Sequence, residues 1–279
     1  MISHYSRFAY FGAMNALHLA LTAALLLTAL PGAATTQDDI LDAALLPGWQ
    51  MENGHHMSGL ALTLAPHWKT YWRSPGDAGI PPLFDWSGSQ NVKSIRIHWP
   101  SPEVFHTNGM QTIGYQTDLV LPVEVTPVTP GQPILLRAKV DLGVCKDICM
   151  PAAIDVQAQL QGPGVPDDAI RAALKSRPRS ADEAGLAGIS CTVDPIADGL
   201  RLTATLDLPE RGAEIVVFET RDLSVWVAEA VTTRSGSMLT AVTELVTGSG
   251  APFALDRSGV TVTVLRGNGS VEIAGCPAP

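Results

Sequence analysis

The stretch Val144 to Pro151, V-C-K-D-I-C-M-P, constrains this chain more than any other, because Cys145 and Cys149 lie only four positions apart. In a continuous strand that spacing separates the Cα atoms by about 13 Å, roughly twice what a disulfide tolerates, so the backbone must turn if the two are to pair. Apolar residues alternate before the stretch (Ile134, Leu136, Ala138, Val140, Leu142) and after it (Ile154, Val156, Ala158, Leu160). A hairpin tip carrying both sulfurs satisfies both patterns. A bond closing about five residues stabilises the fold by about 2 kcal/mol on the chain-entropy model. That is little for a structural cross-link and ordinary for a redox-active one.

Four cysteines allow three pairings, and spacing favours Cys145 with Cys149 and Cys191 with Cys276. The second bond closes about 86 residues and is worth about 4.6 kcal/mol by the same model, which reads as structural. Two disulfides require an oxidising compartment. Residues 1–34 agree: Arg7 precedes an apolar run from Leu19 to Leu30, followed by Gly32, Ala33 and Ala34. This is the pattern of a secretory signal peptide cleaved near Ala34. No cysteine follows the cleavage region, so no lipoprotein anchor is expected, and nothing later approaches the length of a membrane span. Removal of the leader leaves 17 basic against 27 acidic residues, a net charge of −10. Nucleic acid is a poor partner for such a surface.

With 46% hydrophobic and 16% charged residues, the 279-residue chain can bury a core. Leu60, Leu62 and Leu64 alternate, and His67 to Trp72 is rich in aromatics. Ser74 to Pro82 is a shaped loop. Ile95, Ile97 and Trp99 alternate with polar neighbours, as do Leu119, Leu121, Val123 and Val125. Such period-2 runs between closely spaced turns indicate an antiparallel β-sandwich, and Pro122 marks its run as an edge strand or a bulge. A Gly-Pro segment from Gly162 to Pro166 is followed by a short helix, capped by Asp167 or Asp168 and running through Lys175. Leu200 to Leu208, Ile215 to Phe218, Val225 to Val227 and Val260 to Val264 outline a second all-β region. The expected layout is a signal peptide over 1–34, a redox β-sandwich over 40–162, a helical linker over 163–187 and a second, smaller sandwich over 188–279.

The stretches H-W-K-T-Y-W-R-S-P-G-D-A-G-I-P-P (His67 to Pro82), W-P-S-P-E-V-F (Trp99 to Phe105), I-G-Y-Q-T-D-L-V-L-P (Ile113 to Pro122) and G-V-C-K-D-I-C-M-P (Gly143 to Pro151) resemble the periplasmic N-terminal region of DsbD-type thiol:disulfide interchange proteins, the ScsB branch most closely. The resemblance covers about residues 45–160. It implies immunoglobulin-like sandwiches, two of them joined by a short helical linker. It also implies that Cys145 and Cys149 are the catalytic pair of a protein-disulfide reductase component. The expected donor is a membrane electron-transfer protein or a thioredoxin-like domain, and the clients are periplasmic proteins with disulfides. By the same likeness Cys149 forms the mixed disulfide, Cys145 resolves it, and a loop carrying Phe105 shields the pair. Met150-Pro151 independently supports an accessible Cys149, since proline interrupts regular pairing. The chain is expected to lack the family's membrane and thioredoxin domains, so that either separate polypeptides supply them or the function has diverged. No cofactor and no metal is expected.

The competing reading is a periplasmic binding module, for copper or for a protein, whose cysteines never cycle. His55, His56, Met57, His106 and Met110 are ligand types suited to copper, and Cys-x3-Cys can hold Cu(I). Such histidines are more often solvated loop residues. Lys146 favours a thiolate and Asp147 opposes it, so local charge leaves the pKa open. Glu103 can accept a proton near the pair, although an isolated carboxylate is more often plain surface. Trp68, Trp72, Trp86 and Trp99 read as core or loop anchors.

Overall fold

A computed structural model describes residues 36–279 apart from 108, 211, 249, 251, 252 and 268. The expected signal peptide lies outside the described residues. The first half contains β1 (Leu41–Gln50), β2 (His56–Leu64), β3 (Lys69–Tyr71), β4 (Leu83–Asp85) and β5 (Val92–Ile97). These are followed by β6 (Glu103–Thr107), β7 (Met110–Gln116), β8 (Leu119–Pro127), β9 (Ile134–Cys145) and β10 (Cys149–Leu160). One sheet has the order β1-β2-β8-β5; the other runs β10-β9-β3-β7-β6, with β4 also on β9. The alternating residues read from the sequence meet between the sheets: Leu60, Leu121, Val123, Leu136, Ala138 and Val140 are all buried. Trp72 is fully buried, whereas Trp68, Trp86 and Trp99 pack at the margin of this core.

Pro122 lies in a central strand, not at an edge, since β8 pairs with β2 on one side and β5 on the other. The proline is tolerated because its carbonyl accepts the His98 N–H just past the end of β5. Its nitrogen points the same way, toward the frayed end of β5, so the β2 ladder loses no donor.

After the first sandwich, α1 (Asp168–Lys175) is capped by the Asp167 carboxylate, which accepts from the N–H groups of Ala169 and Ile170. Ile170 is buried against Gly59 and Val120 on the outer face of the β1-β2-β8-β5 sheet. A second short helix, α2 (Ala181–Ala184), starts with a reciprocal Ser180–Glu183 capping box. The remaining strands are β11 (Gly188–Ile196), β12 (Gly199–Asp207), β13 (Glu214–Thr220), β14 (Val225–Val227) and β15 (Val231–Ser235). The chain closes with β16 (Met238–Thr247), β17 (Val260–Arg266) and β18 (Gly269–Ala274). They form a second sandwich, β11-β12-β16-β14 with β15 on β16, against β13-β17-β18. The fold is all-β and immunoglobulin-like in both sandwiches.

The β13-β17-β18 sheet is covered on both faces. Val260, Val262 and Val264 face the second core, while Leu265, Ile215 and Val217 pack against the first. Polar contacts reinforce this junction: Arg73 donates to Glu219 at 2.8 and 2.9 Å and to Glu272 at 2.5 Å. Ser101 and Ser270 share a 2.7 Å hydrogen bond. Arg73, one residue after Trp72, thus holds the first sandwich to the second.

Candidate functional site

β9 and β10 form one continuous hairpin in which Cys145 and Cys149 are the last paired residues, joined as a disulfide around a tip of Lys146, Asp147 and Ile148. The two sulfurs differ in access. Cys145 is 1% exposed, at the inner end of β9, whereas Cys149 belongs to the exposed tip.

β3 lies beside β9 and places a polar row next to the pair. In register, Cys149 pairs with Cys145, Cys145 with Lys69, and Lys69 with Gln116. Directly paired residues share a face of the sheet. Tyr71, two positions after Lys69, shares that face and lays its hydroxyl 2.7 Å from the Cys145 sulfur and 3.2 Å from the Cys149 sulfur. Burial raises the Tyr71 pKa, so the hydroxyl keeps its proton and is a donor to sulfur. On reduction, the same donor faces the two freed sulfurs.

Gly143 makes this position available to the tyrosine. A Cβ there would stand 3.0 Å from the Tyr71 ring and 2.8 Å from the Cβ of Ile80. The Gly143 carbonyl accepts from the Thr70 hydroxyl at 2.9 Å, which ties the strand to β3 within the buried interior. Lys69 donates to the Thr112 hydroxyl at 3.3 Å and lies 5.0 Å from the centroid of the Phe105 ring.

The segment expected as a shielding loop is a β-hairpin. Phe105 sits on β6 at the sheet edge, opposite Thr112 of β7, and Gly109 turns the chain with φ 79°. Glu103, also on β6, is exposed, and no hydrogen bond among the described residues brings it to either sulfur. Cys191 and Cys276 form the other disulfide and are both buried in the second core.

The residues weighed as copper ligands do not converge. His55 meets Glu124 at 2.6 Å, the buried His56 meets the Pro47 carbonyl at 2.8 Å, and His106 and Met110 lie on the β6–β7 hairpin. Among the described residues no three His, Cys, Asp or Glu side chains form a metal-holding group. His98 takes part instead in a polar chain: its Nε2 donates to Glu124 at 2.8 Å, and its Nδ1 accepts from Arg177 at 3.2 Å.

Sequence reasoning placed both cysteines at one hairpin tip, as the structure has them, and passed over their neighbours Lys69, Tyr71 and Gly143. The signal for Tyr71 was its i, i+2 spacing from Lys69 in a strand, together with the need of a buried phenol for a hydrogen-bond partner.

An immunoglobulin-like sandwich bearing a short disulfide, one sulfur buried and the other exposed, is a module of the thiol-disulfide interchange class. Residues 42–161 match the family model of thiol:disulfide interchange protein DsbD, N-terminal. The chain is also similar to the N-terminal periplasmic domain of ScsB from Proteus mirabilis, with 23% identity and a TM-score of 0.63 over 88% of this chain and 96% of that one. This likeness extends the fold through the second sandwich. No curated protein matches the chain. Among the described residues no helix is long and apolar enough to cross a membrane.

Proposed function

We propose that this chain is a periplasmic thiol-disulfide exchange protein that relays reducing equivalents to exported proteins through Cys145 and Cys149. The observation that carries the reading is the unequal access of two bonded sulfurs that share one hydroxyl donor: Cys145 is buried, Cys149 lies at the exposed tip, and Tyr71 touches both. In the reduced protein the Cys149 thiolate attacks a client disulfide, forming a mixed disulfide and releasing one client sulfur as a thiolate. The Cys145 thiolate then attacks Cys149, closing the intramolecular bond and releasing the second client sulfur. Two electrons pass to the client. A dithiol of a membrane electron-transfer protein or a thioredoxin-like domain restores the reduced pair by the reverse sequence.

The buried Cys191–Cys276 bond is the structural member of the set, and Phe105 is the shield of the active one. The test is capture from periplasmic extract. A Cys145→Ser variant accumulates mixed disulfides through Cys149, and a Cys149→Ser variant traps little. Trapping by neither variant, or a midpoint potential below about −300 mV, would assign the short disulfide to structure.

A further inference from the structure

Lys69 is a half-buried ammonium with no carboxylate partner among the described residues; its contacts are the Thr112 hydroxyl and the Phe105 ring. Burial without a counter-charge lowers its pKa. A cation left unpaired at such a site calls for an anion, and its cross-strand neighbour Cys145 becomes able to supply one once the disulfide is opened. Lys69 is the direct cross-strand partner of Cys145, on the side away from Cys149. Side chains so paired share a face, with Cβ atoms about 4.5–5.5 Å apart.

We propose that Lys69 is the positioning residue of the resolving step: it supplies the counter-charge for the Cys145 thiolate and, through its ring contact, holds the Phe105 shield over the pair. This rests on the exchange reading above. In the mixed disulfide Cys145 is the only free sulfur of the pair, and it is too buried to be ionised by solvent. A neighbouring ammonium in a partly desolvated site favours its thiolate far more than an exposed charge does. The other charged or titratable groups of the packed elements are Tyr71 on β3, Glu103 and His106 on β6, the buried Tyr115 on β7, Asp118 after β7, Arg137, Lys139 and Asp141 on β9, Asp155 on β10, and Lys146 and Asp147 at the tip. Arg137 is paired with Asp155, Lys139 and the tip pair are exposed, and the tip charges are of opposite sign, so Lys69 is the half-buried cation without a carboxylate partner among these groups.

The two roles have opposite kinetic signs. The full reduced chain is mixed with the aromatic disulfide 5,5′-dithiobis(2-nitrobenzoate), and release of the coloured thiolate is followed over a range of pH. In the first phase Cys149 attacks the probe and one aromatic thiolate leaves. In the second phase Cys145 attacks Cys149, the intramolecular disulfide forms and the second aromatic thiolate leaves; two electrons reach the probe and the protons go to solvent. Lys69→Met speeds the first phase, because the shield is released. It slows the second about tenfold at neutral pH and moves its midpoint up by about one unit, the effect of losing a nearby opposite charge. Lys69→Arg restores the second phase. Acceleration of both phases would mark Lys69 as merely structural, and an unmoved second-phase midpoint would overturn the assignment. Failure of the Cys145→Ser variant to trap any protein partner, with the two phases of the parent chain as described, would instead sink the exchange reading and leave the Lys69 chemistry standing.

Discussion

The hydroxyl of Tyr71 lies 2.7 Å from the sulfur of Cys145, a residue 74 positions away in the chain. It also reaches Cys149 at 3.2 Å, so one donor serves both ends of the bond. A donor of this kind is worth more against a thiolate than against a disulfide, because charge-assisted hydrogen bonds are the stronger ones.

Tyr71→Phe therefore destabilises the reduced state relative to the oxidised one. Loss of about 1.4 kcal/mol of differential stabilisation makes the midpoint potential about 30 mV more negative. Equilibration against a glutathione or dithiothreitol series measures it. A potential unchanged, or shifted upward, would remove the hydroxyl from the redox chemistry.

Gly143→Ala pushes a methyl group into the Tyr71 ring and Ile80. Overpacking of this kind costs about 1–3 kcal/mol. The denaturation midpoint should fall, and the potential should move in the same direction as in Tyr71→Phe, since the ring is displaced from the sulfurs. Full stability with the parent potential would show that the strand yields without moving the tyrosine.

Phe105→Ala should speed alkylation of the reduced protein by a small reagent at matched pH, because access as well as ionisation limits thiol reactivity. An unchanged rate would leave the pair without its shield.

Replacing Cys191 and Cys276 with Ser should cost about 2–5 kcal/mol, the usual loss for a structural bridge in a secreted domain, and lower the melting temperature. Exchange at Cys145 and Cys149 should persist. A variant that stays folded yet loses exchange would tie the second sandwich to the chemistry.

Mild acid should weaken the fold through His98 and Glu124. Burial lowers the His98 pKa below 6.5, with the Arg177 and Arg96 charges adding to it, while hydrogen bonds from His55 and His98 hold Glu124 below 4.5. Protonated His98 would also turn an N–H toward Arg177. Both groups are less protonated in the folded chain than in the unfolded one, so the unfolded state takes up protons as pH drops. Stability is full above pH 6.5; the His98 contribution is lost as pH falls from there, and that of Glu124 as pH falls below 4.5. Urea midpoints across this range should show the decline, and His98→Gln should flatten its upper part. A parent curve flat down to pH 5 would contradict the shift assigned to His98.

Much of the local architecture was legible because strand residues alternate with period 2. The register that ends with Cys145 opposite Cys149 follows from alternation on both sides of the tip, and the helix at Asp168 follows from its Asp167 cap. Pro122 was misjudged because a proline's cost depends on which neighbour its nitrogen faces. That is set by where β5 stops, not by the β8 sequence. Phe105 was placed in a loop because five residues ending in His-Thr carry weak alternation; pairing with β7 makes them a strand.

By itself the sequence determined an all-β chain, a hairpin with two sulfurs at its tip, and the pairing of cysteines by loop length, all consequences of short-range periodicity and spacing. Only the tertiary structure decided that β3 lies beside β9, bringing Lys69 and Tyr71 to Cys145, and that Arg73 reaches Glu219 and Glu272 in the other sandwich. The physical reason is that the pleat sets which face a side chain occupies, whereas the choice of neighbouring strand comes from burying two whole sheets against each other. That choice is a collective property of the core, carried by no single stretch of the chain.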